Sequence, residues 1–151
     1  MRRVVAGVNE MGRSYVVSDE DLADEALLWS TDLAQGDGAA EVERLDPAHV
    51  VTAFEPPPGG HRWVMGVFPP ESDPDLAASR RQIPGMDERG VHGTRTIDYD
   101  LVLDGSLQLD LDEGSVELHA GDAAVLVAAP HGWRNTGDRP ARLLALLASL
   151  V

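Results

Sequence analysis

The stretch that decides the fold runs from His92 to Asn135. It begins His92-Gly-Thr-Arg-Thr-Ile-Asp98-Tyr-Asp-Leu-Val-Leu-Asp-Gly105 and ends Ala120-Gly-Asp-Ala-Ala-Val-Leu-Val-Ala-Ala-Pro-His131-Gly-Trp-Arg-Asn135. Short apolar-alternating runs separated by glycine turns indicate β-strands, and their folding can bring His92, Asp98 and His131 together inside a barrel. Imidazoles with a carboxylate form a ligand set for a divalent transition metal and equally an acid–base set. The residues leave both interpretations open.

Six strand-length runs follow Gly90 at even spacing. They alternate with turns such as Asp104-Gly105 and Ala120-Gly121-Asp122. This spacing favours an all-β sandwich or barrel. The predicted strands are Thr94–Leu103, Ser106–Leu111, Ser115–Leu118, Ala123–Val127, His131–Asn135 and Ala141–Ala148.

The N-terminal half is less regular. Arg3–Val8 and Ser14–Val17 predict a hairpin, and the acidic run Asp19–Asp24 predicts a loop. A proline-rich turn precedes the predicted strand His61–Phe68, and Leu76–Gln82 could form about two helical turns after a Pro-containing start. We therefore expect residues 1–70 to complete the barrel, 71–91 to connect, and 92–151 to form the core of one domain.

Composition restricts the partners. The chain has 151 residues, enough for one domain, with 26 acidic and 12 basic residues and a formal net charge of −14. Such a surface repels phosphate backbones and anionic lipids, so we expect neither nucleic acid nor membrane as a partner. No apolar run reaches the length of a bilayer span or a signal peptide, which predicts a cytoplasmic protein.

Cysteine and lysine are both absent, since all 12 basic residues are arginines. The lack of cysteine excludes disulfides, thiolate nucleophiles and zinc sites built on cysteine. The lack of lysine excludes catalysis through a Schiff base on the protein.

The region from His92 onward resembles the cupin superfamily. The first cupin motif is His-x-His followed by a Glu and a Gly, and here His92, Asp98 and Gly105 take these places. The second motif opens with Gly-Asp and closes with His-x3-Asn, which matches Gly121-Asp122, His131 and Asn135. The resemblance implies an antiparallel double-stranded β-helix, the jelly-roll barrel, with added N-terminal strands and one short helical segment.

Two residues depart from the cupin pattern. Thr94 stands where the second histidine of the first motif belongs, and Asp98 replaces the longer Glu. The ligand set that the resemblance implies is therefore His92, Asp98 and His131, for one divalent transition metal such as Fe, Mn, Ni or Zn. Without a metal, and with no other cofactor, the same three residues can serve as catalytic acid–base groups.

Strand alternation suggests the substrate contacts. If Asp98 points inward, Thr94, Thr96 and Asp100 share its side of the strand, and Trp133 shares a face with His131. Trp133 then forms a wall for a planar substrate or simply fills the core. Arg62 could bind a carboxylate or phenolate if it faces inward with Val64, or lie on the surface. The predicted substrate-binding residues are Thr94, Arg62 and Trp133.

The resemblance to small cupins with reduced ligand sets implies an enzyme that acts on a small organic molecule, polyketide-like or aromatic, by dehydratase-type or cyclase-type proton transfer. The alternatives are a metal-dependent oxygenase, isomerase or decarboxylase, and a ligand-binding module without catalysis. The same resemblance, with the exposed edges of an all-β body, implies a homodimer.

Overall fold

A computed structural model describes residues 2–21, 55–76, 86, 87 and 89–150. These residues form nine β-strands: β1 (Arg2–Val8), β2 (Ser14–Asp21), β3 (His61–Phe68), β4 (Thr96–Asp104), β5 (Ser106–Leu111), β6 (Ser115–His119), β7 (Ala123–Val127), β8 (His131–Arg134) and β9 (Ala141–Ser149). The six strands predicted after Gly90 are all present, each within two residues of the predicted ends.

The strands form two sheets. One has six strands in the order β2-β1-β7-β4-β9-β3, and the other has three in the order β6-β5-β8. The predicted all-β jelly-roll barrel is confirmed. Among the paired strands of the described residues, one pair departs from the antiparallel arrangement, because β1 lies parallel to β7. Val4 and Val5 of β1 are both buried, which suits a strand covered on both faces.

The described part of the acidic run after Val17 is a strand and not the predicted loop. Asp19, Glu20 and Asp21 belong to β2, where they pair in register with β1. Arg2 binds Asp19 at 2.8 Å, and Arg3 forms an ion pair with Glu20. The predicted loop is wrong for these three residues, because arginines on the neighbouring strand compensate their charge.

The hydrophobic core lies between the two sheets. Both sheets contribute buried side chains to it, the larger through Val4, Ala6, Val102, Ala124, Leu126 and Leu143, and the smaller through Leu107, Leu109, Leu118 and Trp133. A second cluster, of Val5, Ile97 and Val125, lies on the outer face of the six-stranded sheet. The space between the sheets is therefore the interior in which the predicted site should lie.

Two predictions concern other parts of the chain. The helical segment Leu76–Gln82 falls outside the described residues apart from Leu76. In the described parts of the chain, no helix has the length and apolar character needed to span a membrane.

Strands β1 and β3 join the same sheet as β4, β7 and β9. The predicted boundaries between the N-terminal strands, the connection and the core, at residues 70 and 91, stay a prediction.

Candidate active site

Strand β4 carries the acidic part of the site. Its inward side chains are Thr96, Asp98 and Asp100, and both carboxyl groups are almost fully buried, with 3% and 5% of each residue exposed. Tyr99 packs with the cluster on the outer face of the sheet. Strand alternation predicts this separation of inward-facing and outward-facing side chains.

Strand β8 and the segment before β4 carry the histidines. His131 begins β8, and its backbone exchanges two hydrogen bonds with His92, of 2.9 and 3.0 Å. Gly132 allows this close approach, because a Cβ atom there would lie 3.0 Å from the carbonyl carbon of Gly90. The rings of His92 and His131 are 4.8 Å apart between centroids.

The three predicted site residues come together. The Nε2 atom of His131 lies 3.8 Å from Oδ2 of Asp98, with both side chains 4% exposed. The Nδ1 atom of His131 lies 2.8 Å from the carbonyl oxygen of Ala129, which can only accept a hydrogen bond. Nδ1 therefore carries the proton, and the lone pair of Nε2 faces Asp98.

A cavity of about 240 Å³ opens beside this pair. Its polar groups include His92, Asp98, Asp100 and His131, and most of the remaining wall is apolar. The apolar lining includes Val64, Phe68, Leu76, Met86, Trp133, Leu143, Ala145 and Leu147. A small, mostly apolar molecule fits such an interior.

Burial raises the pKa of both carboxyl groups. It raises the pKa of Asp98 to about 6, an effect that a hydrogen bond from Thr96 opposes and the charge of Glu55 adds to. The pKa of Asp100 lies well above its usual 3.8, first because the group is buried and second because Asp98 lies near it. Thr94 and Thr96 share a hydrogen bond of 2.6 Å, so Thr94 can donate to Thr96 while Thr96 donates to Asp98.

Burial acts on the histidines in the opposite direction. It lowers the pKa of His131 to about 4, with the neighbouring His92 adding to the effect and the Ala129 carbonyl opposing it. The pKa of His92 is lowered as well, again chiefly by burial. Because Asp98 stands beyond hydrogen-bond distance of His131, desolvation outweighs the attraction of the carboxylate.

The other predicted contacts are placed as follows. Arg62 has the inward parity of β3, like Val64, while His61 and Trp63 face outward. Its Nη1 atom lies 3.4 Å from the carbonyl oxygen of His61, and it does not belong to the described cavity lining. Thr94 lies outside that lining too, whereas Trp133 both lines the cavity and packs in the core. Their roles in substrate binding stay predictions.

Asp100 was not among the predicted site residues, yet it lines the cavity. The first cupin motif specifies no residue type at this position, so the resemblance gave no reason to select Asp100. The available signal was alternation, because a carboxylate two positions after Asp98 must share its face of the strand.

A metal ion is not supported by the geometry. Within the described ranges, no group of three His, Cys, Asp or Glu side chains is placed to hold a metal ion. The ligand set His92, Asp98 and His131 therefore stays a prediction.

Comparison with known proteins agrees with this architecture. Residues 84–147 match the family model of the cupin domain. This segment of the chain is therefore similar to the cupin domain. It contains β4 to β8, both histidines and both buried aspartates, so the similarity extends over the whole acid–base group of the site.

Individual proteins match this chain either over a short segment or at low sequence identity. Phomopsin biosynthesis cluster protein C' of Diaporthe leptostromiformis is 48% identical over 46 residues, which make up 30% of this chain and 24% of that protein. The chain thus spans about a quarter of that relative's length. The solved TT1209 protein of Thermus thermophilus is 23% identical, with a TM-score of 0.45 over 62% of this chain and 76% of that one. A Cupin 2 conserved barrel domain protein of Salinispora arenicola is 20% identical, with a TM-score of 0.44 over 64% and 71%.

Proposed function

We propose that this protein is a cupin enzyme that acts on a small, mostly apolar organic molecule by proton transfer, as a dehydratase or cyclase does. One observation carries the proposal. Oδ1 of Asp98 is buried without a hydrogen-bond partner in the described part of the chain, next to the cavity and to the lone pair of His131 Nε2. An unsatisfied buried carboxyl oxygen costs stability, and a substrate group in the cavity would satisfy it.

The chemistry follows from two adjacent proton acceptors. A substrate atom near the midpoint of Nε2 of His131 and Oδ2 of Asp98 would be within reach of both. The pair takes a proton from a carbon next to a carbonyl group. It returns a proton to a hydroxyl group on the next carbon, which leaves as water with the electron pair of its carbon–oxygen bond. A carbon–carbon double bond forms, and the pair ends the cycle in its starting protonation state.

The remaining residues position these groups. The Ala129 carbonyl fixes the tautomer of His131, and the Thr94–Thr96 pair orients Asp98. Asp100 lines the same cavity and can contact an oxygen of the substrate. The match to a protein named for the phomopsin biosynthesis cluster supports a substrate from natural-product synthesis.

The test is deuterium exchange with a β-hydroxyketone small enough for the cavity. In D2O the wild-type protein should place deuterium at the carbon next to the carbonyl and release water, both detectable by mass spectrometry. His131→Ala and Asp98→Asn should lower both rates on the order of 100-fold or more. His119→Ala is the matched control, because His119 is exposed at the end of β6.

Two results would contradict the proposal. Tight binding of such compounds without exchange or water loss would instead support a binding module without catalysis. Activity that disappears with a chelator and returns with Fe, Mn, Ni or Zn would support the metal-dependent alternative.

A further inference from the structure

Asp98 and Asp100, which we call the interior pair, have no cationic partner among the described residues. Both are buried, with 3% and 5% of each residue exposed. His131 lies 3.8 Å from Asp98, but burial lowers the pKa of its ring to about 4, so the ring is neutral at neutral pH. Buried carboxylates cost free energy unless positive charge or hydrogen-bond donors compensate them. The interior pair therefore lacks a positive charge that a ligand could supply.

Acidic side chains outside the cavity are compensated by arginines. Arg2 binds Asp19 at 2.8 Å, and Arg134 forms an ion pair with Asp110. The pKa of Asp19 is lowered, first by the hydrogen bond from Arg2, whereas burial raises the pKa of both members of the interior pair. In the part of the chain that the structure describes, the arginines thus neutralise carboxylates elsewhere and leave the interior pair without a counter-charge.

The wall of the cavity favours an organic cation. Beside the interior pair it carries Glu71, and no arginine is among the described residues that line it. Trp133 and Phe68 also line the cavity, and aromatic rings attract ammonium groups. Within the described ranges, no three His, Cys, Asp or Glu side chains are placed to hold a metal ion. An ammonium group on an apolar molecule matches both the acidic groups and the apolar surface.

One atom indicates where this cation would bind. Oδ1 of Asp98 is buried without a hydrogen-bond partner in the described residues, while Oδ2 is the oxygen that lies 3.8 Å from Nε2 of His131. Asp100 stands two positions further along β4 and lines the same cavity. The two oxygens of Asp98 can therefore have different roles, Oδ2 beside His131 and Oδ1 beside a ligand.

We propose that the substrate carries a protonated amine, which binds between Oδ1 of Asp98 and the carboxyl group of Asp100. The N–H groups of an ammonium donate charge-assisted hydrogen bonds to carboxylate oxygens, and this compensates their buried charge. Asp100 then determines specificity, while the apolar wall holds the rest of the molecule. The inference deepens the proposed function and rests on it in calling this ligand the substrate. Arg62, the predicted binder of a carboxylate, lies outside the described lining.

The test is isothermal titration calorimetry of the full chain with three probes of similar size. These are phenethylamine, phenethyl alcohol and hydrocinnamate, whose end groups are cationic, neutral and anionic at about pH 7. Wild type should bind the amine about 10-fold or more tightly than the alcohol, because its hydrogen bonds are charge-assisted. It should bind hydrocinnamate least tightly. This comparison uses wild type alone and does not depend on the folding of any variant.

Single variants locate the amine. Asp100→Asn should weaken amine binding about 10-fold and leave alcohol binding unchanged, because Asn keeps the size of the side chain and removes its charge. Asp138→Asn is the matched control, since it also removes one charge, from a side chain that is 98% exposed, and should leave all three affinities unchanged. If Asp100→Asn does not fold, Asp98→Asn replaces it, with the same expected loss of amine binding.

Equal affinity of wild type for the amine and the alcohol would overturn the inference, and so would tightest binding of hydrocinnamate. An amine preference that survives in both Asp98→Asn and Asp100→Asn would place the amine elsewhere and overturn the inference as well. The proposed function fails separately. Amine binding without deuterium exchange of an amino-substituted β-hydroxyketone would contradict the proposed function only. Exchange of neutral β-hydroxyketones without any preference for amines would contradict this inference only.

Discussion

His92 and His131 exchange backbone hydrogen bonds in both directions, although His92 lies outside the named strands. The first histidine is thus held to the second through the backbone, and its ring position depends on how closely the two segments approach. Gly132 sets that approach, because a Cβ atom there would lie 3.0 Å from both the carbonyl carbon and the oxygen of Gly90.

We predict that Gly132→Ala separates the two histidines. The new methyl group must displace the backbone of Gly90, which should cost about 1–3 kcal/mol of unfolding free energy. It should also lower the exchange activity, because the His92–His131 bridge lengthens. Gly93→Ala is the control, since a Cβ atom there meets only Pro130 Cγ at an ordinary 3.8 Å. Equal stability and activity of the two variants in urea unfolding and exchange assays would show that the close approach has no role.

A second prediction concerns the link between β7 and β8. Ala128 has a φ of 47°, in the left-handed region where alanine is strained and glycine is not. Ala128→Gly should therefore stabilise the protein by about 0.5–1 kcal/mol, the relief of strain exceeding the added entropy of the unfolded chain. Ala123→Gly, in the regular strand β7, should destabilise it by about 1 kcal/mol. A loss of stability at both positions in urea unfolding would contradict the argument from strain.

The sequence was sufficient to predict most of this architecture and the meeting of His92, Asp98 and His131. Alternation separates the faces of a strand, and the paired motifs order the strands around the two histidines. The sequence alone could not predict that β1 lies parallel to β7, because neighbours in a sheet depend on contacts between distant parts of the chain. The sequence also left open whether the pKa of the histidines is raised or lowered. A nearby carboxylate raises the pKa of a histidine, whereas burial lowers it. The structure shows that burial has the larger effect on His131, because Asp98 is 3.8 Å away and both side chains are only 4% exposed.

The pH dependence of stability should report the state of Asp98. Its pKa is about 6 in the folded protein and 3.8 as the ordinary value, so the folded state holds the proton more tightly. The stability that this proton provides is complete below about pH 4 and is lost as the pH rises through about 6. Asn cannot ionise, so Asp98→Asn should gain about 3 kcal/mol relative to wild type between these limits.

Urea unfolding at several pH values measures this difference. Asp138→Asn is the control, because the side chain of Asp138 is 98% exposed, and its stability should follow that of wild type. A constant difference between Asp98→Asn and wild type from pH 4 to pH 7 would mean that Asp98 ionises as easily in the folded protein as in the unfolded chain. The site would then lack the desolvated carboxyl group that the proposed chemistry uses.

His131 should give the opposite dependence. Its pKa falls from 6.5 to about 4 on folding, so the unfolded chain takes up a proton that the folded protein excludes. The stabilisation from the neutral ring is complete above about pH 6.5 and is lost as the pH falls through about 4. Wild type should therefore lose about 3 kcal/mol relative to His131→Asn over this range. The exposed His119 provides the matched control His119→Asn, for which no such difference is expected.

Since Asp98 and His131 act with opposite signs between pH 4 and 6, the wild-type curve of stability against pH should be flatter there than that of either single variant. A wild-type curve as steep as that of Asp98→Asn would show that His131 alone determines the acid sensitivity of the site.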